Sequence, residues 1–313
     1  MNILIIGGTN HIGPYMVKRL VERGDSVTVV NRGSRNAKLP EGVELLTADI
    51  YQEGALAQAV GERTFDAAIH MIAGSAVSTR VVLEPLRGKI GRYLQCGSTG
   101  IFAPLSRLPG DETCPQKPPP EFGGFEAKVQ ADNEARRLCT EYGLSLVILR
   151  PTNVGGPGNV PLDLWGNRQP AFFQRIIDGQ VISIPNDGQT LLQIVHADDM
   201  ARSFVLALDR PEVAGDFNIS CSYAITLNRY AEILGEALGR APVVEHVPMQ
   251  ELIHRYGDTG KLSVGGLLFL CEHMCFDLRQ AREQLGYVPQ FEPEASVPQA
   301  VQWMSDEGLI QKR

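Results

Sequence analysis

Long apolar runs are what this sequence most plainly lacks. None approaches the roughly 18 consecutive apolar residues that a membrane-crossing helix needs. The opening MNILIIGG carries neither a basic flank nor an Ala-x-Ala cleavage site, so the expectation is a cytoplasmic protein with no signal peptide and no membrane partner. Positive charge is not in excess either. With 29 Lys and Arg against 36 Asp and Glu, the formal net charge is −7, and without a global attraction for phosphate backbones a nucleic-acid partner is not expected. Cysteine is sparse. Cys96, Cys114, Cys139, Cys221, Cys271 and Cys275 lie scattered through 313 residues, a chain long enough to bury its own core, so no disulfides are expected. Metal-ligand spacing is missing as well: Cys271-x-His273-x-Cys275 offers three soft ligands inside the apolar GLLFLCEHMCF, with no second pair at structural-zinc distance. The segment reads as a buried helix with two inert thiols, and no metal is expected. His196 with Asp198 and Asp199 reads as a loop-to-helix junction, with Asp198 as the cap. The absence of a Gly-x-Ser-x-Gly elbow leaves no support for a hydrolase of that type, and no internal repeat is found.

What is there is an ordinary globular composition, 43% hydrophobic and 21% charged. Short runs rich in Val and Ile recur at residues 2–6, 26–31, 66–72, 92–98 and 144–150. Their continuous apolarity suits strands covered on both faces. Between them lie helical stripes. Ile12, Met16 and Leu20, with Val17 and Val21 beside them, form one that stops at Gly24, and another runs from about Ala127 to Tyr142 through Val129, Ala131, Ala135 and Leu138. This alternation predicts an α/β fold, a Rossmann-type doubly wound parallel sheet of about seven strands. Past Arg150 the pattern gives way to Gly/Pro-rich loops such as PTNVGGPGNVP. Residues 1–153 are therefore expected to form a dinucleotide-binding domain with later returns near 190–220, and residues 154–313 a smaller, mainly substrate-binding region. The Pro-rich PQKPPP, residues 115–120, reads as a stiff surface connection. Trp165 with Phe172 and Phe173 reads as core or as a subunit contact, which admits a homodimer.

The strand NILII runs into Gly7-Gly8-Thr9-Asn10-His11-Ile12-Gly13 and then into the first helical stripe. That context gives a glycine-rich turn chemical meaning: Gly7 allows a sharp bend, Gly13 allows helix and strand to pack closely, and the helix N-terminus offers free N–H groups to a pyrophosphate. Pro14 suits a first helical turn. The expected dinucleotide contacts are Gly7, Thr9, Asn10, His11, Ile12 and Gly13 in the loop. At the end of the second strand stands Asn31-Arg32-Gly33-Ser34-Arg35, without the acid that would take both ribose hydroxyls of NAD. Arg32 and Arg35 suit a 2′-phosphate, favouring NADP over NAD, while Asn31 still bonds a hydroxyl.

The loop spacing resembles the G-x-x-G-x-x-G of short-chain dehydrogenase/reductase proteins, with Asn10 in place of the middle glycine; Asn tolerates a left-handed backbone, so the turn can survive. His11 stands where that family usually has an aromatic or apolar residue, as a wall of the pocket or an acid-base group. Leu149-Arg150-Pro151-Thr152-Asn153-Val154-Gly155-Gly156-Pro157, Val195-His196-Ala197-Asp198-Asp199-Met200-Ala201, Phe276-Asp277 and Leu285-Gly286-Tyr287-Val288-Pro289 are similar to further signatures of its extended or atypical branch, the NAD-dependent epimerase/dehydratase group. The resemblance covers nearly the whole chain. It implies NAD(P), with Asp49 and Ile50 at the adenine edge and Ala73, Pro151 and Asn153 beside the cofactor. It also implies that Ser98, with Thr99 adjacent, holds the reacting oxygen and that Lys128 binds the nicotinamide ribose and assists catalysis. Four residues before Lys128, where the family has its catalytic Tyr, stands Gly124.

Three readings follow from that departure. Another acid serves, with Glu126, Glu121, His70 or an ordered water as candidates, although a Glu in a first helical turn is favoured by the dipole alone. Alternatively, the cofactor is structural or the chemistry is redox-neutral. In the third, catalysis is lost and the fold binds, as in the branch that includes chloroplast stem-loop-binding proteins, a scaffold or an RNA-associated regulator. The implied activity is NAD(P)-dependent epimerisation, reduction or related chemistry on a sugar, nucleotide sugar or similar polyhydroxylated metabolite, with Asn153 and His196 near the site.

Overall fold

A computed structural model describes residues 1–33 and 39–311. The apolar runs form strands β1 (Asn2–Ile6), β2 (Ser26–Asn31), β3 (Glu44–Thr47), β4 (Ala67–His70), β5 (Arg92–Cys96) and β6 (Ser145–Pro151), joined by Gly215–Ile219 in one seven-stranded sheet. From one edge the order is Gly215–Ile219, β6, β5, β4, β1, β2, β3, and every neighbouring pair is parallel. The chain winds outward from β1 to β3, then crosses back to β4. That reversal opens a crevice at the carboxyl ends of β1 and β4.

Helices α1 (Ile12–Glu22), α2 (Ala55–Val60), α3 (Ala76–Leu83) and α4 (Phe125–Tyr142) are the crossovers. Alternate side chains of β1 divide between the faces. Ile3 and Ile5 pack with Met16, Val17 and Leu20 of α1 and with Phe204 of the helix Ala197–Leu208, whereas Leu4 and Ile6 pack with Val82, Leu83 and Leu138 of α3 and α4. A third apolar cluster, with Trp165, Phe172, Phe173, Tyr230 and Met304, fills the C-terminal region. Trp165 and the two phenylalanines are core, so they offer no surface for a subunit contact. Each such buried side chain contributes roughly 2 kcal/mol by area.

Several sequence expectations are corrected by local geometry. The runs 66–72 and 92–98 overshoot their strands at the carboxyl end: β4 stops at His70 and β5 at Cys96, because the next residues turn out of the sheet, Ser98 capping a 3-10 turn over Thr99–Phe102. Asp198 is not a cap. His196 caps the helix Ala197–Leu208, its Nδ1 accepting from the Asp198 amide at 3.0 Å, and the Asp198 carboxylate, within the first turn, instead pairs with Arg19 of α1 at 2.6 and 2.7 Å. The helix read around Cys271 spans only Val264–Leu270, leaving both thiols half-buried beyond it. His273 there accepts the Leu191 amide at 3.1 Å, and burial pushes the Cys271 thiol up to about 12. All six cysteines are free. Among the described residues no group of His, Cys, Asp or Glu gathers as metal ligands, and no helix is long and apolar enough to cross a membrane.

Candidate active site

The glycine loop leaves β1 by backbone conformations that side chains rarely adopt. Gly7 has φ +96° and donates its amide to Val30 O at 2.9 Å; Gly8 follows at φ +81°. Gly13 packs so closely that a Cβ there would lie 2.2 Å from the carbonyl carbon of Gly8. The left-handed turn anticipated at Asn10 falls one residue later, on His11 with φ +49°, because the Asn10 carbonyl is engaged by the Gly13 amide at 2.9 Å. His11 precedes α1 without capping it, and the first turn of α1 holds no acid. With the Gly13 amide taken by Asn10 O and no N–H on Pro14, the Ile12 amide and the partial positive charge of the helix end stay open to an anion. The His11 ring lies in no hollow. Burial, and then Arg168, drive its pKa down to about 4, so it is neutral near pH 7.

Above this loop lies a crevice of about 340 Å³ lined by Gly7, Thr9, Asn10, Asn31, Arg32, Asp49 and Ile50, together with Tyr51 and Ile72. Asn31 Oδ1 takes the Gly33 amide at 2.7 Å and Asp49 Oδ1 the Tyr51 amide at 3.0 Å, which fixes both strand ends. Arg32 is exposed at the rim. Arg35 lies outside the described residues. Ile12 and Gly13 lie beneath the crevice as packing and do not line it. Tyr51 and Ile72 were missed by sequence reasoning; their signal is that two large apolar side chains stay exposed immediately after strand ends.

A second cavity of about 310 Å³ opens at the carboxyl ends of β5 and β6. It brings together Ser98, Thr99, Lys128, Pro151 and Asn153, drawn from segments far apart in the chain. Lys128 Nζ donates to Ala73 O at 3.2 Å, which places the ammonium beside the loop after β4. One turn further along α4, on the same face, Asp132 anchors the helix. It accepts from buried Arg150 at 2.8 Å and from Gln95 Nε2 at 2.7 Å, and Gln95 is joined through the Tyr93 hydroxyl to His70 Nδ1 at 2.7 Å. This buried row holds the wall that carries Lys128. Ser98 Oγ accepts the Gly100 amide at 3.2 Å, keeping its own proton to donate, whereas Thr99 spends its proton on Pro151 O at 3.1 Å.

The candidate replacement acids are elsewhere. Glu126 and Glu121 are exposed and line neither hollow, and for Glu126 the positive end of α4 and water are sufficient company. His70 is fully buried within the row, and burial together with Lys128 holds its pKa down to about 3. His196 is buried against Phe291 with ring centroids 4.1 Å apart, outside the cavity. Gly124 lies just outside α4 with φ +92°, exposed, with nothing within 4 Å of where a Cβ would be. The rest of the wall was not foreseen: Phe122, Phe125, Leu162, Arg168, Phe269 and Met274 complete it. Periodicity gives no signal for such residues, because each comes from a loop or a helix end.

The comparisons with known proteins agree with this geometry. The sequence profile of the NAD dependent epimerase/dehydratase family matches residues 3–220. Over 308 residues the chain is 26% identical to the chloroplast stem-loop binding protein of 41 kDa b of Arabidopsis thaliana, covering 93% of this chain and 75% of that one. It is also 26% identical over 346 residues to a UDP-glucose 4-epimerase of Streptococcus mutans, covering 97% of each. Among solved structures, a UDP-glucose 4-epimerase with UDP-glucose from Thermotoga maritima superposes with a TM-score of 0.78 at 24% identity, over 98% of this chain and 99% of that one.

Proposed function

The chain belongs to the NAD dependent epimerase/dehydratase family, and from that premise we propose that it is an NAD-dependent, epimerase- or reductase-like enzyme acting on a sugar, a nucleotide sugar or a related polyhydroxylated metabolite. One observation carries the reading: Ser98, Lys128 and Asn153 converge on a single cavity at the carboxyl ends of β5 and β6. The loop residues fit a dinucleotide, since Gly7, Thr9 and Asn10 line the crevice and α1 opens with no side-chain cap and no acid in its first turn. Bound there, the cofactor supplies the hydride acceptor and donor. In our reading Ser98 donates to the reacting oxygen, and the Lys128 ammonium binds the ribose and stabilises negative charge as the hydroxyl proton leaves.

We assign Gly124 to the position of the family's Tyr. Its left-handed backbone and exposure leave no phenol in that place, so proton transfer falls to Ser98 and to water at the cavity. At the crevice rim, Asn31 and Arg32 replace the acid that favours NAD, and we propose that NADP is accepted there. The similarity to the stem-loop binding protein keeps a second reading, a cofactor-holding protein without chemistry, as the outcome to be beaten; the net charge of −7 argues against an RNA partner.

The test is direct. Nucleotide released by denaturing the purified protein is identified, and its oxidation state is followed at 340 nm as neutral and anionic sugars and nucleotide sugars are supplied. Turnover is expected, and Lys128→Met should lower it by about 100-fold while the protein stays folded. A protein that neither alters the cofactor's oxidation state nor converts any of these compounds to an epimer or a reduced product, or a Lys128→Met variant with unimpaired turnover, would overturn the proposal.

A further inference from the structure

The polar row behind Lys128 does not end at Arg150. Phe217 and Ile219 pack on the α1 side of the sheet, so their strand turns Asp216 and Asn218 to the opposite face, toward α4, and Asn218 stands in register beside Arg150. Both Asn218 and Arg150 are fully buried. Arg150 places Nε on Asp132 at 3.1 Å and Nη2 on Asp132 and Asp216 at 2.8 Å, but its Nη1 meets no acceptor among the described residues. Neither the nitrogen nor the oxygen of the Asn218 side chain has a partner among them either. Donors and an acceptor thus share one interior patch, where a polar group without a hydrogen bond is destabilising.

Each side of this patch leads somewhere. Two residues further along the two strand paths stand Thr152 and Ser220, both buried, with their hydroxyl oxygens 2.6 Å apart. Thr152 also lines the cavity that holds Ser98 and Lys128. One of the two hydroxyl protons closes the bond between them, which leaves the other to point onward. At the edge of the sheet, Glu112 Oε1 accepts the backbone amide of Asn218 at 2.7 Å. Glu112 borders a surface hollow of about 200 Å³ with Asp111, Asp277, Arg279, Gln280 and Glu283. Burial raises the Glu112 carboxyl above its ordinary pKa, with Asp111 adding to the rise and the Asn218 amide and Arg150 opposing it, so it exchanges a proton nearer neutrality than a solvated glutamate does.

We propose that Asn218 and Arg150 bind ordered water, and that the path this water completes, from Thr152 through Ser220 to Glu112, carries the proton exchanged at the reacting oxygen. A buried water takes about two to four polar partners, and Arg150 Nη1, the two ends of the Asn218 amide and the Ser220 hydroxyl supply them. The transfer balances bond for bond. A proton leaving the substrate hydroxyl for Thr152 is matched by one passed from Ser220 to the water and one released from Glu112 to solvent, and the reverse reaction runs the row backward. Asn218 and Arg150 move no proton; they are positioning residues for the water. The proposal rests on the reading of this cavity as the substrate site, and it gives a course to the proton for which Gly124 supplies no phenol.

The experiment uses the cofactor-loaded, full-length protein and has two arms. Crystallography that resolves ordered solvent, with magnetic relaxation dispersion in solution, should find long-lived water against Asn218 and Arg150, lost in Asn218→Leu, which keeps the volume and removes the amide. In the second arm, Thr152→Val should lower turnover by about tenfold and raise the solvent deuterium isotope effect, with cofactor and substrate affinities unchanged. Thr152→Ser, which returns the hydroxyl, should restore both. A patch without water, or turnover and isotope effect untouched by Thr152→Val, would overturn the route. If Asn218→Leu does not fold, the solvent structure of the wild type and the Thr152 variants decide. The two readings fail separately: bound water in a protein that converts no substrate keeps the water site and sinks the enzyme together with the proton step, whereas turnover beside a patch without water sinks the route and keeps the enzyme.

Discussion

The two hollows at the carboxyl edge of the sheet are built by opposite means. The crevice over the glycine loop is made of main chain and small residues from segments close to strand ends: Gly7, Thr9 and Asn10, then Asn31, then Asp49. Its chemistry is that of N–H groups and a helix terminus, and a ligand common to many enzymes suits it. The cavity beside Lys128 joins two short stretches, 97–100 and 151–154, with large side chains from distant segments such as Phe125, Arg168 and Phe269. A backbone site announces itself through glycine spacing, because only glycine fits. A side-chain site has no comparable constraint, so its specificity is written in residues that look ordinary one at a time.

The contrast can be broken most sharply at Gly13. Adding a methyl group by Gly13→Ala drives it into the Gly8 carbonyl, which should cost about 3 kcal/mol of stability and, by shifting the loop, lower dinucleotide affinity by about 100-fold or more. Denaturant midpoints and calorimetry with the cofactor measure both. If the variant bound the cofactor normally, the crevice would not be a backbone site.

Acid should expose the next difference. His11 beside the loop and His70 beneath the cavity are both held neutral, with pKa values drawn down to about 4 and about 3 chiefly by burial. An unfolded chain takes up protons near the ordinary 6.5, so between that pH and about 4 the unfolded state binds more protons and stability falls as pH falls. Above about 6.5 the contribution is complete and flat. Unfolding free energy should drop by on the order of 5 kcal/mol from pH 7 to pH 4.5, about half from each histidine. His11→Asn and His70→Gln should each flatten that limb, apportioning it between the two hollows; an unchanged limb in both variants would refute the assignment.

The smallest effect is expected at the crevice rim. Arg32→Ala should weaken NADP by about fivefold and leave NAD almost untouched, read by competition binding. Equal losses for the two dinucleotides would show that Arg32 meets the shared pyrophosphate and not a 2′-phosphate.

Much of the fold was legible because it depends on burial alone. The strands β1, β2, β4, β5 and β6 are buried along most of their length, and the Val and Ile runs of β1, β2 and β6 are the consequence. β3, at the edge and largely exposed, left no such trace. The glycine loop was legible down to Gly7 and Gly13, but the left-handed position was misplaced by one residue, since Asn and His differ little in sequence logic until Asn10 is seen holding the Gly13 amide. Ser98, Lys128 and Asn153 line one cavity. Glu126 stays in solvent, because a first-turn acid needs no site to explain it. Arg168 was invisible for a different reason: an arginine after a Gly-Asn pair reads as surface, and only the three carbonyl-type acceptors around it reveal that it points inward.

The buried row from His70 to Arg150 also divides labour between the cavity's walls. It welds α4 to the sheet through ionic and polar links that do not slide. The opposing strip around Phe269 meets Phe122 and Phe125 only through ring contacts, with centroids 5.8 and 4.6 Å apart, and among the described residues no ion pair crosses from that strip to α4. Ionic links thus set the aim of the Lys128 ammonium, whereas the far side, with Gly265 lying close against the Glu121 carbonyl, sets the breadth of the space by packing alone.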